Sequence, residues 1–245
     1  MARHRARVGV VLVAMLLGGV SMASGGAAAQ THTIGTGFLV RHDGWILTVA
    51  QVVAGARQLA VSCPGRPTVT AVVDQIVPRV DLAMIRVPLE GVPFLSLNLS
   101  ISVSEAVRVG DTVDTVAYVA TDGRKPEAVV GEATVVGLSG PGDAFEFLQI
   151  TPAGERRGVG GPVVSARGDA IGVLTTLDPR PGAVTAPTPT PTPMAVATPG
   201  GPTWTIKAQV ARPLFIAPPP QPPAKSRGEA IARARSATCL IEVAR

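Results

Sequence analysis

A chain of 245 residues with a formal net charge of +5 has room for one or two compact units. Hydrophobic residues make up 46% of it but aromatics only 3%, so a core has to be built from Val, Leu, Ile and Ala, and the abundance of valine favours strands. Three of the 22 basic residues and none of the 17 acidic ones lie in residues 1–29; the other 19 basic residues form no long block and no aromatic-interleaved face, which argues against a nucleic-acid partner.

The first segment carries Arg3, His4, Arg5 and Arg7, then an apolar run from Val8 to Val20, then small residues ending Ala27-Ala28-Ala29. That is the order of a secretory signal with an A-x-A-like cleavage site, so residues 1–29 are expected to be removed and the mature chain to start near Gln30, secreted or in the cell envelope. No formal charge intervenes between Arg7 and Arg41, so a retained membrane anchor is the alternative.

Short apolar or alternating runs bounded by Gly, Pro and Asp follow at 34–40, 45–50, 58–63, 69–73, 81–87, 113–119, 128–136, 145–150, 161–164 and 170–175. Strands of that length and spacing predict an all-β sandwich or barrel. Residues 97–105 have no clear period. Residues 178–202 are rich in Pro, Thr, Ala and Gly, with strict alternation from Pro187 to Pro193, a composition that favours extended, solvated backbone without a core of its own. A second Pro-rich stretch runs from Pro213 to Pro223. The last stretch, 225–245, fits a short helix or, with Ala237, Cys239, Ile241 and Val243 on one face, a strand.

The two cysteines, Cys63 and Cys239, are far apart in sequence. In an exported protein a bridge between them would persist and tie the tail to the first half, whereas two free thiols fit the sequence as well. With no C-x-x-C and no His/Cys cluster, neither a metal site nor a cofactor is expected.

Gly35-Thr36-Gly37-Phe38-Leu39-Val40, followed by Asp43-Gly44-Trp45-Ile46-Leu47-Thr48-Val49-Ala50-Gln51-Val52-Val53, resembles the stretch of HtrA-like, trypsin-type serine proteases that ends in Leu-Thr-x-x-His-Val-Val. Arg79-Val80-Asp81-Leu82-Ala83-Met84-Ile85 is similar to the segment that carries the triad aspartate. Gly158-Val159-Gly160-Gly161-Pro162 has the build of the nucleophile turn, and Asp169-Ala170-Ile171-Gly172-Val173 fits the strand beyond it. Trp204-Thr205-Ile206-Lys207 and Ala208-Gln209-Val210-Ala211-Arg212 resemble, more loosely, the last strand and closing helix.

The resemblance covers about residues 31–216 and implies a trypsin-like double β-barrel with a short C-terminal helix. It implies six strands to each barrel, a boundary near 100–110, a long Pro/Thr-rich loop at 178–202 inside the second barrel, and 217–245 as a Pro-rich segment and tail beyond the domain. The PDZ domain usual in that family has no room after Arg212.

By the same resemblance Gln51 stands at the histidine, Asp81 at the aspartate and Val159 at the serine. Acyl-transfer chemistry needs a hydroxyl nucleophile, an imidazole to shuttle its proton and a carboxylate to hold the imidazole's tautomer. Glutamine does not titrate near neutral pH and valine offers only methyl groups, so two of the three functions are missing. The oxyanion-hole remnant falls on the backbone N–H groups of Val159 and Arg157, where Arg157 replaces a customary glycine.

No other residue makes a substitute. His32 lies near the first strand, His42 sits in the Arg41–Gly44 turn away from Gln51, and Ser139 lacks the G-x-S-x-G spacing. The expectation is an exported pseudoprotease that binds peptides or envelope proteins or serves a structural role. Its rivals are an active serine endopeptidase with a different catalytic arrangement, and a surface module whose Pro/Thr loop is the working part.

Overall fold

The computed structural model describes residues 32–99, 107–121, 124–152, 158–177 and 203–245. The signal segment, the Pro/Thr-rich stretch and Arg157 lie outside them.

Valine-rich runs form strands wherever one or both of their faces find cover. In the first half these are β1 (His32–Leu39), β2 (Trp45–Thr48), β3 (Gln58–Ser62), β4 (Val69–Thr70), β5 (Val72–Val77) and β6 (Leu82–Arg86), with a one-turn helix α1 (Ala50–Val53) after β2. The second half has β7 (Thr112–Thr121), β8 (Arg124–Gly137), β9 (Phe147–Ile150), β10 (Pro162–Ser165), β11 (Ala170–Leu174) and β12 (Thr203–Lys207). These six close into a barrel in the order β10-β11-β12-β9-β8-β7. The all-β double-barrel architecture expected from the sequence is therefore the one found, with the halves sharing a core in which Phe38, Leu47, Val116, Val159 and Ile206 are buried together.

The first half departs from six strands. Its sheet has seven, in the order β4-β3-β13-β1-β2-β6-β5, where β13 (Thr238–Ala244) comes from the far end of the chain. β13 pairs antiparallel with β1, from His32↔Ala244 to Phe38↔Thr238, and on its other side with β3, from Leu240↔Ser62 to Ala244↔Gln58. Residues 225–245 are thus helix and strand in succession: α2 (Arg227–Ala237) runs directly into β13. The 69–73 run also splits. Buried Ala71 gives its N–H to the Leu59 carbonyl, which separates β4 on β3 from β5 on β6.

What brings the tail to β1 is a series of specific contacts. Gln221 donates from its backbone to Ser96 Oγ and from Nε2 to the Phe94 carbonyl, and Ala224 donates to the Arg167 carbonyl. Ser226 then caps α2, its hydroxyl accepting from Glu229 N–H, while the Glu229 carboxylate accepts from Lys225 N–H and pairs with Arg233 one turn on. Ala230, Ala234 and Ala237 are buried, and a helix face this small sits close against β7 and β10. Arg227 forms a two-pronged pair with the buried carboxylate of Asp114 at 2.6 and 2.9 Å. One residue into β13, Cys239 is joined to Cys63 by a disulfide that spans 176 residues of sequence.

The candidate functional site: a glutamine on a buried aspartate

After β2 the chain turns into α1, and Gln51 projects from its first turn with an exposed side chain. A 3-10 turn at Pro78–Val80 ends in Asp81, which adopts a left-handed conformation (φ 52°, ψ 39°) uncommon for a residue with a Cβ. That conformation aims the carboxylate at the start of α1, where Gln51 N–H donates to Oδ1 at 3.0 Å and Ala50 N–H donates to the Asp81 carbonyl. An acid on the orphan N–H groups of a helix start is a favourable arrangement.

The side chains complete a four-residue network. Gln51 Nε2 donates to Asp81 Oδ2 at 2.8 Å, and the Thr175 hydroxyl donates to the same oxygen at 2.6 Å. From the other side, Thr176 Oγ1 donates to Gln51 Oε1 at 2.8 Å, and Leu177 N–H donates to Thr175 Oγ1. Both ends of the Gln51 amide are thereby engaged. Asp81 is only 5% exposed, and burial pushes its carboxyl above the ordinary carboxylate range, although the bonds from Thr175 and Gln51 pull the other way.

The last residue holds the opposite end of α1. Arg245 donates from Nη2 to the carbonyls of Gln51 and Val52, from Nε to Ala54 and from Nη1 to the Thr33 hydroxyl. These are the carbonyls a short helix leaves unpaired at its C-terminus, where a cation is the favoured partner. Thr175, Thr176 and Arg245 went unseen in the sequence; the first two adjoin a recognisable strand, whereas nothing local marks Arg245.

The turn at Val159 is set by backbone contacts. Thr36 N–H donates to the Val159 carbonyl at 2.9 Å, and Gly160 N–H donates to the Leu174 carbonyl. Gly160 has φ 87°, and a Cβ there would sit 2.1 Å from the Thr36 carbonyl oxygen, so only glycine fits. Val159 itself is 6% exposed and packs in the shared core. Val159 thus serves this turn as an apolar core contact.

His42 packs its ring 6.4 Å from that of Phe94, and Ser139 lies exposed beyond β8. Neither enters the Gln51–Asp81 network. The structure places Gln51 and Asp81 in direct contact, Val159 in the turn that abuts β1, and Cys63 with Cys239 at the join of β3 and β13.

Comparison with known proteins agrees with this geometry. The sequence profile of the family described as "Trypsin-like peptidase domain" matches residues 35–173. A probable periplasmic serine endoprotease, DegP-like, of Ectopseudomonas mendocina is 28% identical over 159 residues, 64% of this chain and 32% of that protein. One of Hahella chejuensis is 30% identical over 154 residues, 62% of this chain and 32% of that protein.

Among solved structures, the HtrA-type protease AlgW with a decapeptide superposes with a TM-score of 0.55 at 20% identity, covering 82% of this chain and 53% of that one. The serine endoprotease from Yersinia pestis gives 0.54 at 21% identity, covering 72% and 54%. The chain spans about a third of the length of the curated relatives it matches. Matched over more than half of its residues, the chain belongs to the trypsin-like peptidase domain family.

Proposed function

We propose that this chain is an exported pseudoprotease: an HtrA-type trypsin-like domain without hydrolytic activity, used to bind extended peptides or envelope proteins. The observation that carries the reading is the Gln51–Asp81 pair. The aspartate sits as it would to orient an imidazole, yet its partner is an amide that neither takes up nor releases a proton near neutral pH, and Val159 supplies no nucleophile. The hydroxyls of the network are already engaged, Thr175 by Asp81 and Leu177 N–H and Thr176 by Gln51 Oε1. Support for peptide binding comes from AlgW, whose structures hold a decapeptide or a tripeptide. Support for an envelope or secreted location comes from the periplasmic DegP-like relatives and from the signal-like residues 1–29.

Casein hydrolysis by the mature protein tests the reading. Loss of a nucleophile or its base costs about six orders of magnitude in kcat in a serine protease, so turnover should be indistinguishable from buffer. Cleavage that survives purification and disappears in Asp81→Ala would overturn it. Gln51→His with Val159→Ser should remain inactive, because Arg157 stands at an oxyanion donor, and adding Arg157→Gly should bring turnover back in part.

A further inference from the structure

Between the 3-10 segment Ala208–Leu214 and α2 the chain runs Ile216-Ala217-Pro218-Pro219-Pro220-Gln221-Pro222-Pro223-Ala224-Lys225. Each proline fixes its own φ at about −65° and pushes the residue before it out of the helical region, so residues 217–223 are held to the polyproline II conformation by their sequence. Such a rod has about three residues per turn and therefore three edges. Burial follows that period: Pro218, Gln221 and Ala224 are half-buried, whereas Pro219, Pro220, Pro222 and Pro223 are exposed.

The inward edge is fastened to the body. Gln221 donates its backbone N–H to Ser96 Oγ at 2.8 Å and its Nε2 to the Phe94 carbonyl at 2.9 Å. Ala224 N–H donates to the Arg167 carbonyl, and a Cβ at Gly168 would stand 3.2 Å from the Ala224 methyl. The Pro222 carbonyl accepts from Arg233 Nη1 of α2. The two outward edges carry Pro219 with Pro222 and Pro220 with Pro223. Ile216, at 86% the most exposed large hydrophobic among the described residues, stands at one end of the rod and exposed Lys225 at the other.

An exposed, preformed polyproline II rod fits a shallow groove walled by aromatic rings, which takes two proline dipeptides at P-x-x-P spacing and has little ordering left to impose. Pro219-Pro220 and Pro222-Pro223 are two such dipeptides. Gln221 lies between them on the edge that a groove leaves uncovered, and Lys225 follows where an acidic group beyond the groove would meet it. The fastening decides the matter, because a rod held by either other edge would turn one proline of each dipeptide inward. Aromatic residues make up only 3% of this chain, so a second copy is a poor source of the groove.

We infer that residues 218–225 are a docking strap for a different protein, one whose groove is walled by aromatic rings and ends on an acidic side chain. The strap shares no residue with the Gln51–Asp81 network.

An SH3 domain that takes P-x-x-P-x-Lys ligands is the probe, titrated by calorimetry into the full mature chain and, separately, into a synthetic peptide of residues 216–227. The folded chain should bind at least as tightly as the peptide, since its rod is already ordered. Pro220→Ala with Pro223→Ala should weaken binding about tenfold and Lys225→Ala about threefold, while Pro213→Ala, outside the strap, should leave it unchanged. Should the paired variant fold poorly, Pro222→Ala on the neighbouring edge carries the same reading. Hydrogen exchange in α2 and β13 should be the same with and without the probe.

A peptide that fails to bind would show that the spacing recognises nothing of this kind. A peptide that binds while the folded chain does not would show that the body covers the rod. Either result overturns the inference, as does binding indifferent to the prolines. So does binding that strips protection from α2 and β13, or that appears only in Ser96→Ala with Gln221→Ala, where the strap is unfastened.

Discussion

The two halves of the molecule are completed in different ways. The second closes on itself, with all six of its strands drawn from residues 112–207. The first borrows an interior strand from residues 238–244, without which β3 would have no pairing that leads to β1. The half that holds Gln51 and Asp81 therefore depends on the most distant part of the chain, and Arg245 ties that part to the carbonyls of α1 itself. The difference teaches that integrity of the Gln51–Asp81 network is set by the tail, through contacts of high sequence separation.

The largest test of this asymmetry is removal of residues 225–245. Losing the buried side chains of Cys239, Leu240, Ile241 and Val243 should cost the first half several kcal/mol, at about 2–5 kcal/mol per large aliphatic residue. Hydrogen exchange should then show β1 and β3 unprotected while β9 to β12 keep their protection. Uniform loss in both halves would mean that the second barrel does not stand alone.

Replacing both cysteines by alanine comes next. A bridge that closes so long a loop contributes about 2–5 kcal/mol, so the melting temperature should fall, with exchange rising first in β3 and β13. An unchanged melting temperature would show that the alanine face of α2 and the Arg227–Asp114 pair hold the tail without it.

A smaller effect is expected at Asp81. Its carboxyl titrates above the unfolded value of about 3.9, so between the two values the folded state binds more protons and stability declines as pH rises, levelling off above the folded value. Asp81→Asn abolishes that slope. The melting temperature of the variant relative to the parent should accordingly improve between about pH 4 and pH 7. A flat difference would place the carboxyl at its ordinary value.

The smallest change should come from deleting Pro187 to Thr198. A Pro/Thr-rich segment buries little apolar surface and a shorter connection costs little to close, so stability should move by less than about 1 kcal/mol. A large drop would give the segment a packing role.

Much of this architecture was legible because strand periodicity is local. The runs at 34–40, 113–119 and 170–175 match β1, β7 and β11 within a few residues, and motif order singled out Gln51 and Asp81, which the structure places in contact. Four features were not legible. The run at 145–150 begins two residues early because Phe145 stays exposed ahead of β9. The run at 69–73 stops short of Asp74, whereas a bulge carries β5 on through Asp74 and Gln75.

The tail was the largest gap. Alternation over Cys239, Ile241 and Val243 fits a strand as well as a helix, and nothing in so short a stretch says that it enters a sheet formed by residues 32–86. The start of α2 did carry a signal in Ser226-Arg227-Gly228-Glu229, the spacing of a capping box, followed by Ala230, Ala234 and Ala237 at helical intervals. The engagement of Gln51 by Thr176 depends on the chain returning from β11, a long-range event that no window of sequence reports.

The central claim is that an intact trypsin-like fold here holds no nucleophile. Intact-mass spectrometry after exposure of the mature protein to a fluorophosphonate probe tests it most directly. The account predicts the unmodified mass, since Val159 forms no adduct and Thr175 is held by Asp81. A stoichiometric single adduct that is lost on heat denaturation before exposure would contradict it.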